Sequence, residues 1–486
     1  MSNFKLISQQ ILITSGICFT GLSFTGCSEV KSEKPNIIFV FSDQQSAFEL
    51  SSYLGGDSVV QTPNLDRLAK EGIQFTNYVS NNPVCVPFRA TLITGQYGQN
   101  NGLPFNTTRS VPDNKPGLQP DHPLFPLELK NNGYKMGYVG KWHLYPESEQ
   151  FNVVPEVYRY GFTDCWRKSS NYQDRYNTGY YDDEGNFNKL DGYAPAAQMD
   201  QLIEFVKASK DVPFCAVLSW HPPHPSYRQA PEKWVKYYES KTIRYRENVP
   251  DKEKSEKLIT NIIGAYSHVS AMDEEIGKLM NVLRELKIDK NTIVIYSSDH
   301  GDMLGSQGWY NKRTPWNESI QVPFIVRWPG GIKITGRKES APLSSVDLAP
   351  TFLGLAGIEP PAEMDGVDYS GFIKDPNQKG PESAFLIGIA PYNISEKDQQ
   401  EHLDNKKMAY DWRGIYTSRY TYAVRKENGK IIPWLLYDNE KDPYQINNLV
   451  EEKESRKIIP ELKDQLEKYL SSVRENDWIT ESAHEE

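Results

Sequence analysis

Asn36-Ile37-Ile38-Phe39-Val40-Phe41, closed by Ser42-Asp43-Gln44, is the stretch on which the fold turns. A run of apolar, partly β-branched residues with no polar alternation fits a strand covered on both faces, the pattern of parallel sheets with helices on each side. The polar residues that follow then stand at the strand's carboxyl end. Three further runs repeat the pattern. Tyr138-Val139-Gly140 leads into Lys141-Trp142-His143, and Phe214 to Ser219 leads into Trp220-His221-Pro222-Pro223-His224. Thr292-Ile293-Val294-Ile295-Tyr296 leads into Ser297-Ser298-Asp299-His300-Gly301-Asp302. In open parallel sheets ligands bind beyond the carboxyl ends of the strands, so these clusters, far apart in sequence, are expected to meet in one pocket.

Helices fill the intervals. Thr62-Pro63 offers a cap and a first-turn proline, Leu65, Leu68 and Ala69 follow at helical spacing, and Gly72 closes the segment. Residues 265–286 carry Ala265, Val269, Met272, Ile276, Leu279 and Leu283 at steps of three and four, as a helix on a sheet would. Beyond residue 355 the texture changes. Pro360-Pro361 and Gly366 give turns, Gly414 to Val424 has the composition of a strand, and Leu435-Leu436-Tyr437 suggests another. Leu462, Leu466, Tyr469, Leu470 and Val473 mark an amphipathic helix. The predicted fold class is α/β: a large N-terminal sandwich over residues 36–355 with a mixed, mostly parallel sheet flanked by helices. A smaller C-terminal α+β domain with an antiparallel sheet is predicted over residues 356–486.

The 486 residues carry 54 Lys and Arg against 64 Asp and Glu, a net charge of -10, with 38% hydrophobic and 24% charged residues. That balance excludes a disordered chain and a bundle of membrane spans. The acidic excess speaks against nucleic acid or anionic lipid as a partner, and an anionic substrate therefore needs a local positive pocket. Lys5 precedes an apolar run over residues 11–26, shorter than the roughly 20 residues of a membrane-spanning helix and ending in Phe24-Thr25-Gly26-Cys27. Residues 1–26 read as an export signal. Small residues before a cysteine resemble a bacterial lipoprotein cleavage site, with lipid on Cys27 and residues 27–35 as a tether; a plain secretory signal and a buried N-terminal helix are the alternatives. The expected address is the periplasm or the outer membrane, with membrane contact only through the anchor at Cys27. Of the other cysteines, Cys18 falls in the signal, and Cys165 and Cys215 are either buried free thiols or one bridge. No disulfide framework or zinc spacing is present.

Cys85 stands apart. Cys85-Val86-Pro87-Phe88-Arg89 precedes Ala90-Thr91-Leu92-Ile93, which puts the thiol just ahead of a helix with Pro87 in its first turn. Free amides there and the guanidinium of Arg89 would lower a thiol's pKa or bind sulfate or phosphate oxygens. By itself, a buried cysteine beside a surface arginine explains the motif equally well.

Taken with its neighbours, the motif makes the chain resemble the type I sulfatases of the alkaline phosphatase superfamily over nearly its whole mature length. Cys85 to Arg89 matches the C-x-P-x-R signature, whose cysteine is oxidised to formylglycine. Gly140-Lys141-Trp142-His143 resembles the second signature, Asn106 falls where that family often has asparagine, and Pro223-His224-Pro225 resembles its substrate-side histidine motif. Ser298 to Asp302, then Lys312, Glu318-Ser319 and Val322-Pro323 match its metal and lysine region. The resemblance implies a sulfuric ester hydrolase in which Asp43, Gln44, Asp299 and His300 hold one divalent cation, most often Ca²⁺, with the formylglycine at Cys85. Its hydrate would attack sulfur, aided by Arg89 and Lys141. His143 would take the proton whose loss expels sulfate, and His224 and Lys312 would protonate or stabilise the departing oxygen.

The implied partners are a sulfated carbohydrate substrate and a formylglycine-generating maturase. Gln44 replaces an acid, His300 stands where others have asparagine, Phe88 where serine is common, and Asn100-Asn101-Gly102 lacks a histidine often found there. A phosphodiesterase or phosphonate hydrolase on the same fold and an inactive glycan-binding lipoprotein are the competing readings. The single-metal set with Lys141, His143, His224 and Lys312 favours sulfate, and intact Cys85, Arg89, His143 and His224 speak for an enzyme. Sugar-reading residues are expected in loops over 110–120, 151–188 and 227–256, which carry Trp166, Arg167, Arg175, Tyr227 and Arg228. His221 either lines a subsite or caps its strand.

Overall fold

The computed structural model describes residues 34–110, 113–147, 153–169, 174–391, 395–405, 409–427, 429–453 and 455–479. The expected export signal with Cys18, the expected lipid site Cys27 and most of the expected tether lie outside the described residues. Ten strands form the first sheet: β1 (Asn36–Asp43), β2 (Ile73–Phe75), β3 (Lys135–Lys141), β4 (Cys165–Ser169), β5 (Gly179–Tyr181), β6 (Phe187–Lys189), β7 (Phe214–Pro223), β8 (Thr292–Ser298), β9 (Phe324–Arg327) and β10 (Arg337–Glu339). Four more form a second, antiparallel sheet: β11 (Ser383–Gly388), β12 (Trp412–Thr417), β13 (Tyr420–Glu427) and β14 (Lys430–Asp438).

The large sheet runs β10-β2-β9-β8-β1-β7-β3-β4-β5-β6. Its centre, β8-β1-β7-β3-β4, is parallel, while β9 against β8 and β5 against β4 are antiparallel. All of β1 is buried because its alternating side chains feed two cores. Ile37, Phe39 and Phe41 face the helices Cys85–Thr94, Phe125–Asn131 and Leu348–Leu355; Ile38 and Val40 face Ala194–Ser209 and Glu256–Glu285. Each such side chain contributes about 1.5–3 kcal/mol on burial. Register sets Ser42 beside Ser298 and Gly140 beside Ser219, so β8, β1, β7 and β3 release their polar residues along one edge.

Two helix ends differ from expectation. The long helix begins at Glu256, ahead of residue 265, because the Ser255 hydroxyl accepts the Leu258 amide and caps it. The helix Pro63–Glu71 is where the spacing predicts it, but Thr62 makes no side-chain cap bond. Its free amides are taken instead by Asp273, whose carboxylate accepts from Leu65 N at 2.7 Å and Asn64 N at 3.1 Å. Burial, partly offset by these donors, raises the Asp273 pKa to about 6. A carboxyl with a folded pKa above its unfolded value of roughly 3.9 gives stability that is full below that value and lost as pH rises through about 6. Asp273→Asn should therefore gain on the wild type by on the order of 2–3 kcal/mol between pH 4 and pH 7, read from urea midpoints at each pH. A constant difference would show that the carboxyl titrates normally.

In the small sheet, the predicted strand over Gly414 to Val424 is a hairpin. β12 and β13 meet at Ser418-Arg419, where Thr417 Oγ1 accepts from Tyr420 N at 2.8 Å and Arg419 N at 3.2 Å. No glycine marks this turn, so composition did not disclose it. The helix Ser455–Ser472 lays Leu462, Leu466 and Leu470 on one face, and the other face closes over Met303, Trp309 and Trp316. Trp412 Nε1 donates to the Arg313 carbonyl at 3.1 Å, tying the small sheet to the segment that follows β8.

Cys165 and Cys215 are free thiols. β3 separates their strands, and they pack against opposite faces of the sheet, which rules out a bridge. The 151–188 region, expected as loop, contains β4, β5 and β6. Trp166 there is core, tilted against Tyr138 and edge-on to Trp142, and the Arg167 guanidinium lies over Tyr180. No helix among the described residues is long and apolar enough to cross a membrane.

Candidate active site

The strand ends converge as the sequence predicts. Asp43 closes β1, Lys141 closes β3, His221 and Pro223 end β7, and Asp299 and His300 follow β8. Cys85 opens the helix Cys85–Thr94, and Asn106 Oδ1 accepts the Val86 amide at 3.3 Å, satisfying one of the free donors of its first turn. Asp43, Cys85, Asp299 and His300 are all buried, each offering one ligand atom within 4.8 Å of the others. Those four residues form a group that could hold a metal ion.

Its charges interlock. Arg89, buried beneath, reaches Asp43 Oδ2 at 3.2 Å and Asp299 Oδ2 at 3.3 Å, and donates to Ser219 Oγ and the Lys141 carbonyl at 2.7 Å each. Lys141 Nζ donates to Asp43 and lies 3.7 Å from Cys85 Sγ. Lys312 Nζ lies 3.1 Å from the same sulfur and 3.0 Å from Gln44 Oε1. Burial pushes the Asp43 carboxyl up, but Lys141, His224, Lys312 and Arg89 together hold it well below the usual range. Burial and the Asp43 charge raise the Cys85 thiol, and Lys141, Lys312 and His300 overcome them and bring it well below an ordinary thiol. Asp299, pressed by burial and by Asp43, is raised to about 6.

The donor set fits a divalent cation. His300 Nδ1 lies 3.0 Å from the Gly301 carbonyl and Nε2 3.3 Å from Cys85 Sγ, so the neutral imidazole with its proton on Nδ1 would offer Nε2 to a cation. Two carboxylates, an imidazole and the Gln44 amide oxygen suit an oxygen-preferring cation with one nitrogen ligand. Gln44 Nε2 donates to Asp302 Oδ2 at 2.6 Å, so Oε1 is held towards Lys312.

The histidines differ in role by environment. Burial lowers the His143 pKa in spite of a hydrogen bond with Cys85, and its Nδ1 has no hydrogen-bond partner among the described residues. Burial, with Lys312 and Lys141 nearby, brings His224 to about 4 although Asp43 opposes it. Both are neutral at pH 7 before substrate arrives. Gln44 (φ 69°), His143 (φ 59°), Asn311 (φ 63°) and Arg313 (φ 77°) hold left-handed backbone around the centre, a conformation that costs about 1–2 kcal/mol for a residue with a side chain.

The positioning roles of three residues escaped sequence reasoning, which had placed Arg175 only among the loop residues expected to read the sugar. Arg175, in a segment with no motif, is buried and donates to the His224 carbonyl at 2.7 Å, with Nη1 3.2 Å from His221 Nδ1. Ser219 and Asp302 sit inside quoted runs, yet only the folded site shows that Ser219 orients Arg89 and Asp302 orients Gln44 and accepts from Tyr227. His221, between the two alternatives left open, is a buried neighbour of His224 with ring centres 5.3 Å apart. Phe88, the departure inside the cysteine motif, is core against Phe41.

Residues 35–358 match the sulfatase family model, and residues 305–472 match that of the N-sulphoglucosamine sulphohydrolase C-terminal region. A Formosa agariphila protein named ulvan-active sulfatase is 34% identical over 446 residues, covering 90% of this chain and 82% of that protein. A Bacteroides thetaiotaomicron endo-4-O-sulfatase is 29% identical over 503 residues, covering 94% of this chain and 96% of its own. A solved Bacteroides thetaiotaomicron structure from work on the metabolism of multiple glycosaminoglycans superposes with a TM-score of 0.80 at 27% identity, covering 91% of this chain and 97% of that one. A family model matched over residues 35–358 and a relative 34% identical over 90% of this chain show that the chain belongs to the formylglycine-type sulfatases of the alkaline phosphatase superfamily.

Proposed function

We propose that the chain removes sulfate from a sulfated glycan, with Cys85 matured to formylglycine and one Ca²⁺ held by Asp43, Gln44, Asp299 and His300. The observation that carries this reading is the surrounding of Cys85 Sγ, with Lys312 Nζ at 3.1 Å, His300 Nε2 at 3.3 Å and Lys141 Nζ at 3.7 Å. The names of the relatives, an ulvan-active and an endo-4-O-sulfatase, support a carbohydrate substrate. Export with a lipid at Cys27, followed by action outside the cytoplasm, accords with a polymeric substrate.

When present, the hydrated aldehyde and the cation supply an oxygen nucleophile and neutralise sulfuryl charge. The chain's own groups do the rest. Arg89 and Lys141 keep Asp43 ionised and place positive charge against the sulfuryl oxygens. His143, neutral and touching residue 85, accepts the proton whose removal releases sulfate. Lys312 donates towards the departing oxygen, and His224 gains its proton as the anionic ester approaches, since a neighbouring negative charge favours imidazolium. Arg175 fixes the backbone that carries His224.

The test is the mass of the Cys85 peptide from protein made with a maturase, together with inorganic sulfate release from sulfated oligosaccharides and phosphate release from matched phosphate and phosphonate esters. Aldehyde at residue 85 with sulfate release at least about 100-fold faster than phosphate release is the expected result. Faster phosphate or phosphonate turnover would overturn it.

A further inference from the structure

A cavity of about 350 Å³ is linked to the reaction centre through Asp302, which lines it and accepts from Gln44. Its wall includes Pro225, which follows His224, and Asn311, which precedes Lys312. Asp302 in the same wall is bonded to Gln44 and Tyr227. Residues adjacent in sequence to the two groups assigned to the departing oxygen therefore line this space, which makes it a candidate for the alcohol half of a substrate. A volume near the lower end of the roughly 300–1,000 Å³ of ligand pockets suits a sugar unit rather than a large aglycone.

Arg228 stands in that wall, exposed, and makes no ion pair, hydrogen bond or ring contact among the described residues. Other arginines near the centre are engaged: Arg89 with Asp43 and Asp299, Arg175 with the His224 carbonyl, Arg246 with Glu318. In the same lining, Tyr310 offers a ring 38% exposed whose hydroxyl is held by Glu253 at 2.9 Å, and Asn261 adds an amide. A flat ring, amides and one unpaired fork of donors recognise a hydroxylated ring bearing an anionic substituent.

Resting on the sulfatase reading above, we propose that this cavity is the subsite for the sugar carrying the cleaved sulfate or its neighbour, and that Arg228 binds a second anionic group on it, a uronate carboxylate or another sulfate. The preferred substrates are then acidic sulfated glycans rather than sulfated neutral ones.

The experiment compares wild type, Arg228→Ala and Arg228→Lys on sulfated disaccharides that carry a uronate, on the same compounds with the carboxyl reduced to an alcohol, and on disulfated uronate-free disaccharides. For the wild type, kcat/KM for the preferred acidic compound exceeds that for its neutral counterpart by at least tenfold, mostly through KM. Arg228→Ala collapses that ratio towards one, and Arg228→Lys restores part of it. Loss of preference on carboxyl reduction identifies the carboxylate; preference confined to the disulfated compounds identifies sulfate. A wild type indifferent to the second anion, or a substitution that lowers acidic and neutral substrates equally, overturns the proposal while leaving the sulfatase reading intact. A matured wild type that releases sulfate from no ester sinks both.

Discussion

Cys85→Ala, produced beside a maturase, loses sulfate ester turnover by at least about 10⁴-fold while keeping its fold. The size follows from what residue 85 occupies. Its sulfur is the point on which Lys141, Lys312 and His300 converge, and His143 hydrogen-bonds to it. Methyl in its place leaves an intact anion-binding cradle with no atom able to bond to sulfur. Because the helix it opens is packed by Val86, Phe88 and Leu92 against the sheet, the substitution does not disturb the core. The check is initial-rate sulfate release alongside a urea melt and carbonyl-specific labelling of residue 85. A folded Cys85→Ala protein retaining more than a hundredth of wild-type turnover would exclude a covalent role for this position.

Arg89→Ala should be destabilised by about 3–5 kcal/mol, since removing one partner of a buried pair leaves the others uncompensated. Arg89 is 2% exposed and bridges two carboxylates that are completely buried. A divalent cation held by Asp43 and Asp299, as proposed, would neutralise the same charges. Chelation should therefore lower the urea midpoint of Arg89→Ala more than that of the wild type, and saturating Ca²⁺ should return part of the loss. Arg89→Lys should recover much of the stability and little turnover, because an ammonium cannot span Asp43, Asp299, Ser219 and the Lys141 carbonyl at once. A chelator effect of equal size in both proteins would mean that cation and guanidinium do not share these carboxylates.

The central strands were legible because a strand buried on both faces has no polar alternation to obscure it, and each ended in a polar cluster that only a shared edge would explain. The short strands β2, β5, β6 and β10 carry three residues each and leave no such signature. Groups proposed to act through their own chemistry, Asp43, Cys85, Arg89, Lys141 and Lys312, stood out by motif. Groups that act by holding others did not. Asp273 caps a helix some two hundred residues away, and Arg175 supports a backbone carbonyl; either contact is a product of tertiary approach and has no local pattern. The hairpin at Ser418-Arg419 was missed for a related reason, since its turn is secured by the hydroxyl of Thr417 rather than by glycine.

The hold of Trp412 on the Arg313 carbonyl, with Met303, Trp309 and Trp316 pressed beneath the small sheet, decides where such enzymes are divisible. Lys312 is encoded with one half of the molecule and shaped by the other. A chimera joined near residue 356 would set a foreign sheet on the segment that aims this lysine, and a mismatch at that seam would reach the sulfur-binding centre directly. A crossover placed ahead of Met303 transfers lysine, segment and sheet as one heritable block. Recombination between sulfatases of different preference is thus free to exchange surfaces, but only along boundaries that leave this block whole.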